Sequence, residues 1–270
     1  MGPITTNVLD NAIAYSVLAG PRVGDALSQQ QPPPHANSLT KPSKDLKGIR
    51  IGVFPSQFED ADDAIVQDCR SALKKMEALG AEIVQVSIPC MQEMSLAHAI
   101  TITSEMAFTM DRYHDRVEEL SPATQISLEL GRSFSSRDLL AAHRVRAYAM
   151  RVIEELFEKI DVYATPATGV IAPKIKPEVE TRGESNLRQT QSIMRHMTLG
   201  NLVGIPGMTF PVGYTSEGLP TSMMIQSAHW EEDVLFRVAS ALELPRMRPK
   251  VYFSLLDRAK KLSVWRNKID

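Results

Sequence analysis

Residues 201–226 read NLVGIPGMTFPVGYTSEGLPTSMMIQ, and the fold turns on this run. Two short apolar strand-like segments, Met208–Phe210 and Ser222–Ile225, flank a turn-rich insert from Gly213 to Pro220. Gly204, Gly207, Gly213 and Gly218 stand where the backbone turns or runs close to another segment. Pro206, Pro211 and Pro220 bar a helix through the same residues. Upstream, DVYATPATG at 161–169 reads as a buried strand ending in a Thr/Pro/Gly turn. Such a strand places its C-terminal residues at the mouth of an α/β sheet, where ligands bind. Pattern alone gives a sheet with a cleft and leaves the reaction open.

Working outward, Lys47–Phe54 reads as a strand. Asp62–Leu79 reads as a helix whose apolar face is Ile65, Cys69, Ala72, Leu73, Met76 and Leu79. Gly80 caps it and Ala81–Ile88 returns as a strand, which makes a β-α-β unit with parallel strands and a right-handed crossover. An unrelated small-molecule-binding α/β domain could begin in the same way. Asn7–Leu18 carries Val8, Leu9, Ala12, Ile13, Val17 and Leu18 at helical spacing, with Gly20-Pro21 as the stop. Residues 21–46 form a linker, in which Gln29–Pro34 reads as a solvated surface loop.

Met91 to Tyr113 reads as a second helix, with His98 among apolar neighbours in a structural role. Ser135 and Asp138 have capping-box spacing at the head of a helix running to Ile160. On that helix Arg144, Arg146 and Arg151 are expected to pair with Glu154, Glu155 and Glu158. Lys174–Glu184 reads as a polar loop, Asn186–Asn201 as a helix, Glu231–Leu242 as a closing helix, and residues 247–270 as a basic tail. The expectation is one domain over 1–270: α/β, a mixed sheet flanked by helices.

Composition excludes several classes. At 43% hydrophobic and 23% charged, 270 residues support a substantial core. A net charge of −2 with scattered Lys and Arg gives no footprint for nucleic acid. The two cysteines, Cys69 and Cys90, sit in apolar settings and read as buried free thiols. No Cys/His spacing suggests a metal, and nothing in the sequence asks for a cofactor. No stretch reaches the roughly 20 apolar residues of a membrane span, and Met1 is followed by no leader pattern, so the expected setting is intracellular.

The order D-V-x-x-TP-x-TG-x-x-AP, a helix, then N-L-x-G-x-PG-x-x-x-PVGY-x-x-EGLP-x-x-x-x-IQ resembles the C-terminal half of amidase-signature enzymes. The resemblance is strongest to the plant-type fatty-acid-amide-hydrolase branch. Gly2-Pro3-Ile4 onward is similar to that family's GP(I/M) helix, Leu46–Phe54 to its L-K-G-I-R-I-G strand, and Arg132-Ser133-Phe134-Ser135 with Asp138 and Ala141-Ala142 to its R-S-F-S stretch. The family's chemistry uses a lysine, a serine in a cis peptide and a nucleophilic serine in a Gly/Ser-rich signature N-terminal to the GP helix. No such run occurs in these residues, so no catalytic residue is assigned. The expectation is a C-terminal portion, inactive alone, from a truncated gene model, a fragment or a product whose first half is encoded elsewhere.

The resemblance implies an acyl amide substrate, or a lipid, as ligand. It makes Leu128, Leu130 and Phe134 candidates for contact with an acyl chain, and Thr165 and Thr168 candidates for lining the cleft. It leaves room for peripheral membrane contact and for homo-oligomers. A non-catalytic remnant that binds lipid or a partner is the alternative function. Pairings such as Ser133 or Ser135 with His143, or Asp161 with His196, have no spacing that favours them.

Overall fold

Most of the apolar pattern is explained by the two faces of one five-stranded sheet. The computed structural model describes residues 2–33, 43–177, 179 and 186–244. The strands are β1 (Arg50–Val53), β2 (Glu82–Gln85), β3 (Val162–Pro166), β4 (Gly207–Tyr214) and β5 (Pro220–Gln226), in the order β2-β1-β3-β5-β4. β1 pairs parallel with β2 and β3, as the β-α-β unit requires. The 201–226 run folds as the expected hairpin, and its second strand rather than its first inserts against β3, antiparallel. Tyr163 stands opposite Gln226, Ala164 opposite Ile225 and Thr165 opposite Met224.

The helices are α1 (Val8–Leu18), α2 (Pro55–Phe58), α3 (Asp63–Ala78), α4 (Met91–Met110), α5 (Pro122–Ser133), α6 (Ser136–Phe157), α7 (Leu187–Met194), α8 (Thr198–Val203) and α9 (Glu232–Leu242). On one face, Val162, Ala164, Ile51 and Phe210 share a core with α1, α3 and α9. On the other, Tyr163 packs with α4, α6 and α8. Successive side chains of a strand point to opposite faces, so the all-buried VYATP of β3 needs helices on both sides. Each large side chain removed from water contributes on the order of 1.5–3 kcal/mol. α5 sits outside this layer, packed on α4 so closely that a Cβ at Gly131 would lie 2.1 Å from the Thr103 carbonyl oxygen.

Several expectations need correction. Cys90 is exposed, in a left-handed conformation (φ 59°) just before α4, whereas Cys69 is buried as expected. α1 buries Val8 and Ala12 but leaves Leu9, Ile13, Val17 and Leu18 in solvent. The 186–201 helix is two helices, broken at Arg195–Met197. Arg146 donates to the Leu202 carbonyl and Arg151 lies over the Tyr148 ring, in place of the expected pairs with Glu154, Glu155 and Glu158. Gln31 is pinned rather than solvated: its side chain accepts from Gly20 N and donates to the Tyr15 hydroxyl. Pro34 of the linker, most of the 178–185 segment and the 247–270 tail lie outside the described residues.

The capping box forms as read. Ser135 Oγ accepts from Asp138 N at 3.3 Å, and the Asp138 carboxylate accepts from Ser135 N at 2.9 Å. The Ser135 hydroxyl also donates to the Asp138 carboxylate at 2.6 Å, and this bond, with the one from Ser135 N, holds the carboxyl below the usual carboxylate range.

Candidate functional site

The turn at the C-terminal end of β3 is bonded to β5, to α7 and to the residue before α3. Pro166 is the last residue of β3 and has no N–H to donate, and Ala167 N carries the bonding to β5 one residue further, donating to Ser222 O at 2.9 Å. Gly169 follows in a slot where a Cβ would lie 2.6 Å from the Ser192 carbonyl oxygen, so no other residue fits without moving α7. Its N–H donates to that same oxygen at 3.1 Å, and its carbonyl accepts from Asp62 N at 2.9 Å. The Asp62 side chain then accepts from Ile171 N at 3.0 Å. The residue before α3 thus holds both sides of the turn.

A second brace comes from the α7–α8 break. Arg195 forms an ion pair with Asp60, and the neighbouring His196, 5% exposed, places Nε2 at 3.2 Å from the Asp60 carbonyl. Burial holds the His196 ring below its ordinary pKa, with Asp60 opposing that shift and Arg195 adding to it. The break in the helix is what swings His196 inward.

Behind the turn lies a row of buried polar groups. Thr165 (3% exposed) and Tyr163 (3%) point to the same face of β3, and neither hydroxyl has a partner among the described residues. Burial pushes the Tyr163 phenol above its ordinary range. Opposite Tyr163, the Gln226 carboxamide fits against α8 because residue 200 is glycine: a Cβ there would lie 2.2 Å from Nε2. Gln226 Oε1 is also unpartnered, and its Nε2 reaches Met224 Sδ at 3.9 Å. Each buried polar group left without a partner costs about 1–3 kcal/mol.

The five residues named from sequence fall into two separate places. Thr165 and Thr168 lie at the β3 end, where Thr168 Oγ1 donates to the Val170 carbonyl at 2.9 Å. Leu128, Leu130 and Phe134 lie on and just after α5: Leu128 is 0% exposed, Leu130 is 42% exposed, and Phe134 is half-buried at the C-cap. Neither of the two large cavities, about 680 and 670 Å³, is lined by any of the five. The first opens at the opposite end of the sheet beside Asp161 and Glu231, and the second runs along β4.

The pairs that spacing does not favour, Ser133 or Ser135 with His143 and Asp161 with His196, do not form among the described residues. Ser133 Oγ donates to Leu130 O, Ser135 is the α6 cap, and Asp161 pairs with Arg50 at 2.7 Å. Among the described residues no Ser or Thr hydroxyl bonds a histidine ring, and no group of three or more His, Cys, Asp or Glu could hold a metal. No described helix is long and apolar enough to cross a membrane. Gln226, His196 and Asp62 were given no site role from sequence, His196 having been weighed only as a partner for Asp161. The first ends the IQ motif, the second needed the helix break, and the third looks like any helix-start aspartate.

The profile of the family described as Amidase matches residues 1–236. A fatty acid amide hydrolase of Medicago truncatula is 34% identical over 266 residues, covering 95% of this chain and 44% of its own length. An amidase of Pseudomonas putida is 29% identical, covering 90% of this chain and 52% of its own. Among solved structures, a bacterial aryl acylamidase belonging to the amidase signature enzymes superposes with a TM-score of 0.73 at 20% identity, over 89% of this chain and 52% of that one. The chain therefore spans about half the length of the relatives it matches.

Proposed function

The chain belongs to the amidase family, and on that premise we propose that it forms the acyl-binding side of an enzyme that hydrolyses fatty acid amides. The observation that supports this reading most is the 34% identity to the Medicago truncatula fatty acid amide hydrolase across 95% of the chain. The braced end of β3 and the hairpin paired to it are the same segments that carry the motif resemblance.

Amide hydrolysis needs a nucleophile whose proton a neighbouring base removes, and donors for the oxyanion. Among the described residues the β3 hydroxyls have no base bonded to them: Thr168 donates to local backbone, and Thr165 and Tyr163 are buried without hydrogen-bond partners. In this reading Thr165 and Thr168 border the reacting centre, and Leu130 and Phe134 face the acyl chain with Leu128 holding their helix in place. The attacking group comes from the family's Gly/Ser-rich signature, which is not in these residues. Removing a serine nucleophile alone lowers kcat by on the order of a million-fold in a well-studied hydrolase, so the 270 residues by themselves are inactive.

The test uses the purified chain and a long-chain N-acylethanolamine. Saturable binding of a fluorescent acyl probe, with no ethanolamine released and no labelling by a fluorophosphonate, is expected. Turnover by the homogeneous chain would overturn the assignment of the attacking group. Absence of saturable acyl binding would overturn the acyl-binding role.

A further inference from the structure

α6 runs 22 residues, about 33 Å, and buries Ala142, Ala149, Ile153 and Leu156 against the sheet layer. On its opposite side Arg137, Arg144, Arg151 and the C-cap Glu158 stand exposed at intervals of seven. Seven residues make nearly two full turns, so these four lie in one line along the helix. Leu140 (64% exposed) and Tyr148 (38%) flank the line, and Glu154 and Glu155 stand exposed near its end. Cations thus occupy the face as far as Arg151, and acids take over from Glu154.

This order runs against the helix. Its amide dipoles leave the N-terminal end positive and the C-terminal end negative, which favours acids in the first turn and bases in the last. The last turn of α6 carries no base and is followed by a third glutamate. Nor do these charges settle one another within the chain. Among the described residues Arg137, Arg144, Glu154, Glu155 and Glu158 form no ion pair, and Arg151 leans over the Tyr148 ring at 5.9 Å. A face that is basic at one end and acidic at the other is complementary to itself when turned around.

We propose that α6 is an isologous contact between two copies of this chain, packed antiparallel about a twofold axis between Ala147 and Tyr148. In this arrangement Arg137 faces the partner's Glu158, and the partner's Glu155 falls between Arg137 and Arg144, one turn from each. Arg144 also faces the partner's Arg151, whose lean over Tyr148 takes it towards the axis and leaves Arg144 to the glutamate. Each acidic end then lies beside the positive dipole end of the other helix, which removes the penalty that it carries alone. One helix pair is a small interface, so the dimer is weak and forms at a protein concentration on the order of 100 µM. The contact is independent of the substrate reading above, since these side chains lie on the side of α6 away from the sheet.

Analytical ultracentrifugation of the full chain tests this. The parent is expected to sediment as a dimer at about 100 µM in low salt and to shift to monomer in about 0.5 M NaCl, where exposed ion pairs are screened. Arg144→Glu and Glu155→Arg each set like charges together on both sides of the axis, and each should weaken self-association by about tenfold or more. Far-UV circular dichroism matching the parent's shows that both variants keep their helices. An equimolar mixture of the two variants restores opposite charges at both contacts and should dimerise as the parent does, which neither misfolding nor a general change of charge would produce. A parent that stays monomeric at about 100 µM in low salt, single variants that self-associate like the parent, or a mixture that stays monomeric would each overturn the proposal.

Discussion

Replacing Leu128 with alanine asks whether α5 is a packed part of the fold before it is a wall for any ligand. Leu128 is 0% exposed and faces α4. One turn later Gly131 already touches the Thr103 carbonyl region, with a notional Cβ at 2.1 Å. The two helices are thus at their closest approach and cannot slide together to close the gap that the substitution leaves. Leu→Ala changes in such sites cost about 2.7–5.0 kcal/mol, and poor collapse places this one in the upper part, about 3–5 kcal/mol. Leu130, at 42% exposure on the other side of the helix, serves as the internal comparison. Its alanine variant should stay within about 0.5 kcal/mol of the parent. Urea unfolding followed by far-UV circular dichroism reads both. With a slope of about 3 kcal/mol per M, Leu128→Ala moves the midpoint down by about 1 M or more. A Leu128→Ala protein as stable as its parent would refute the packing described for α4 and α5. Acyl binding should respond in the opposite order, with Leu130→Ala weakening a bound probe by several-fold, on the order of 1 kcal/mol, and no change in midpoint.

Burial lowers the pKa of both His98 and His196, so between about pH 6.5 and their native values the unfolded chain binds more protons than the folded one. Stability is then fully present above about pH 6.5 and declines as pH falls; Tm should drop between pH 7.5 and 5.5, less so in a His98→Gln/His196→Gln variant, and a flat Tm would contradict the burial of both rings. Cys69 is buried, its thiol pushed up to about 12 by burial and by Asp68, while Cys90 is exposed. A thiol reagent should therefore modify Cys90 in the native chain and both cysteines in denaturant; native labelling of Cys69 would show that α3 opens. Finally, Asp62→Ala removes the acceptor for Ile171 N, and amide exchange at Ile171 should quicken by roughly 5–10-fold, about 1–1.5 kcal/mol, while Ile51 is unchanged. Equal protection at Ile171 in both proteins would show that the turn is held by something else.

Local rules carried the reading wherever the partner was close in sequence. The Ser135–Asp138 box, the hairpin and the β-α-β unit all formed, since a cap, a turn and a short crossover each involve neighbouring residues. The boundary errors have a common cause. α7 and α8 look like one helix because Arg195, His196 and Met197 do not forbid helix; the break is set by Asp60, 135 residues away, which takes both the arginine and the imidazole. Arg146 was assigned to nearby glutamates and went instead to the Leu202 carbonyl at the end of α8, a backbone acceptor that no pattern marks.

What the amino-acid order determined by itself was the class of the fold and its family, because strand and helix periods, Gly and Pro positions and motif order are properties of the chain alone. Which strand of the hairpin meets β3, which cysteine is buried, and which hydroxyls are left without partners were decided only in three dimensions. Those outcomes depend on the register Tyr163–Gln226 and on the α4–α5 crossing. Each is set by surfaces that meet beyond the reach of one helix or one turn, 28 residues apart at Thr103–Gly131 and 63 at Tyr163–Gln226, where steric fit and desolvation outweigh any local preference.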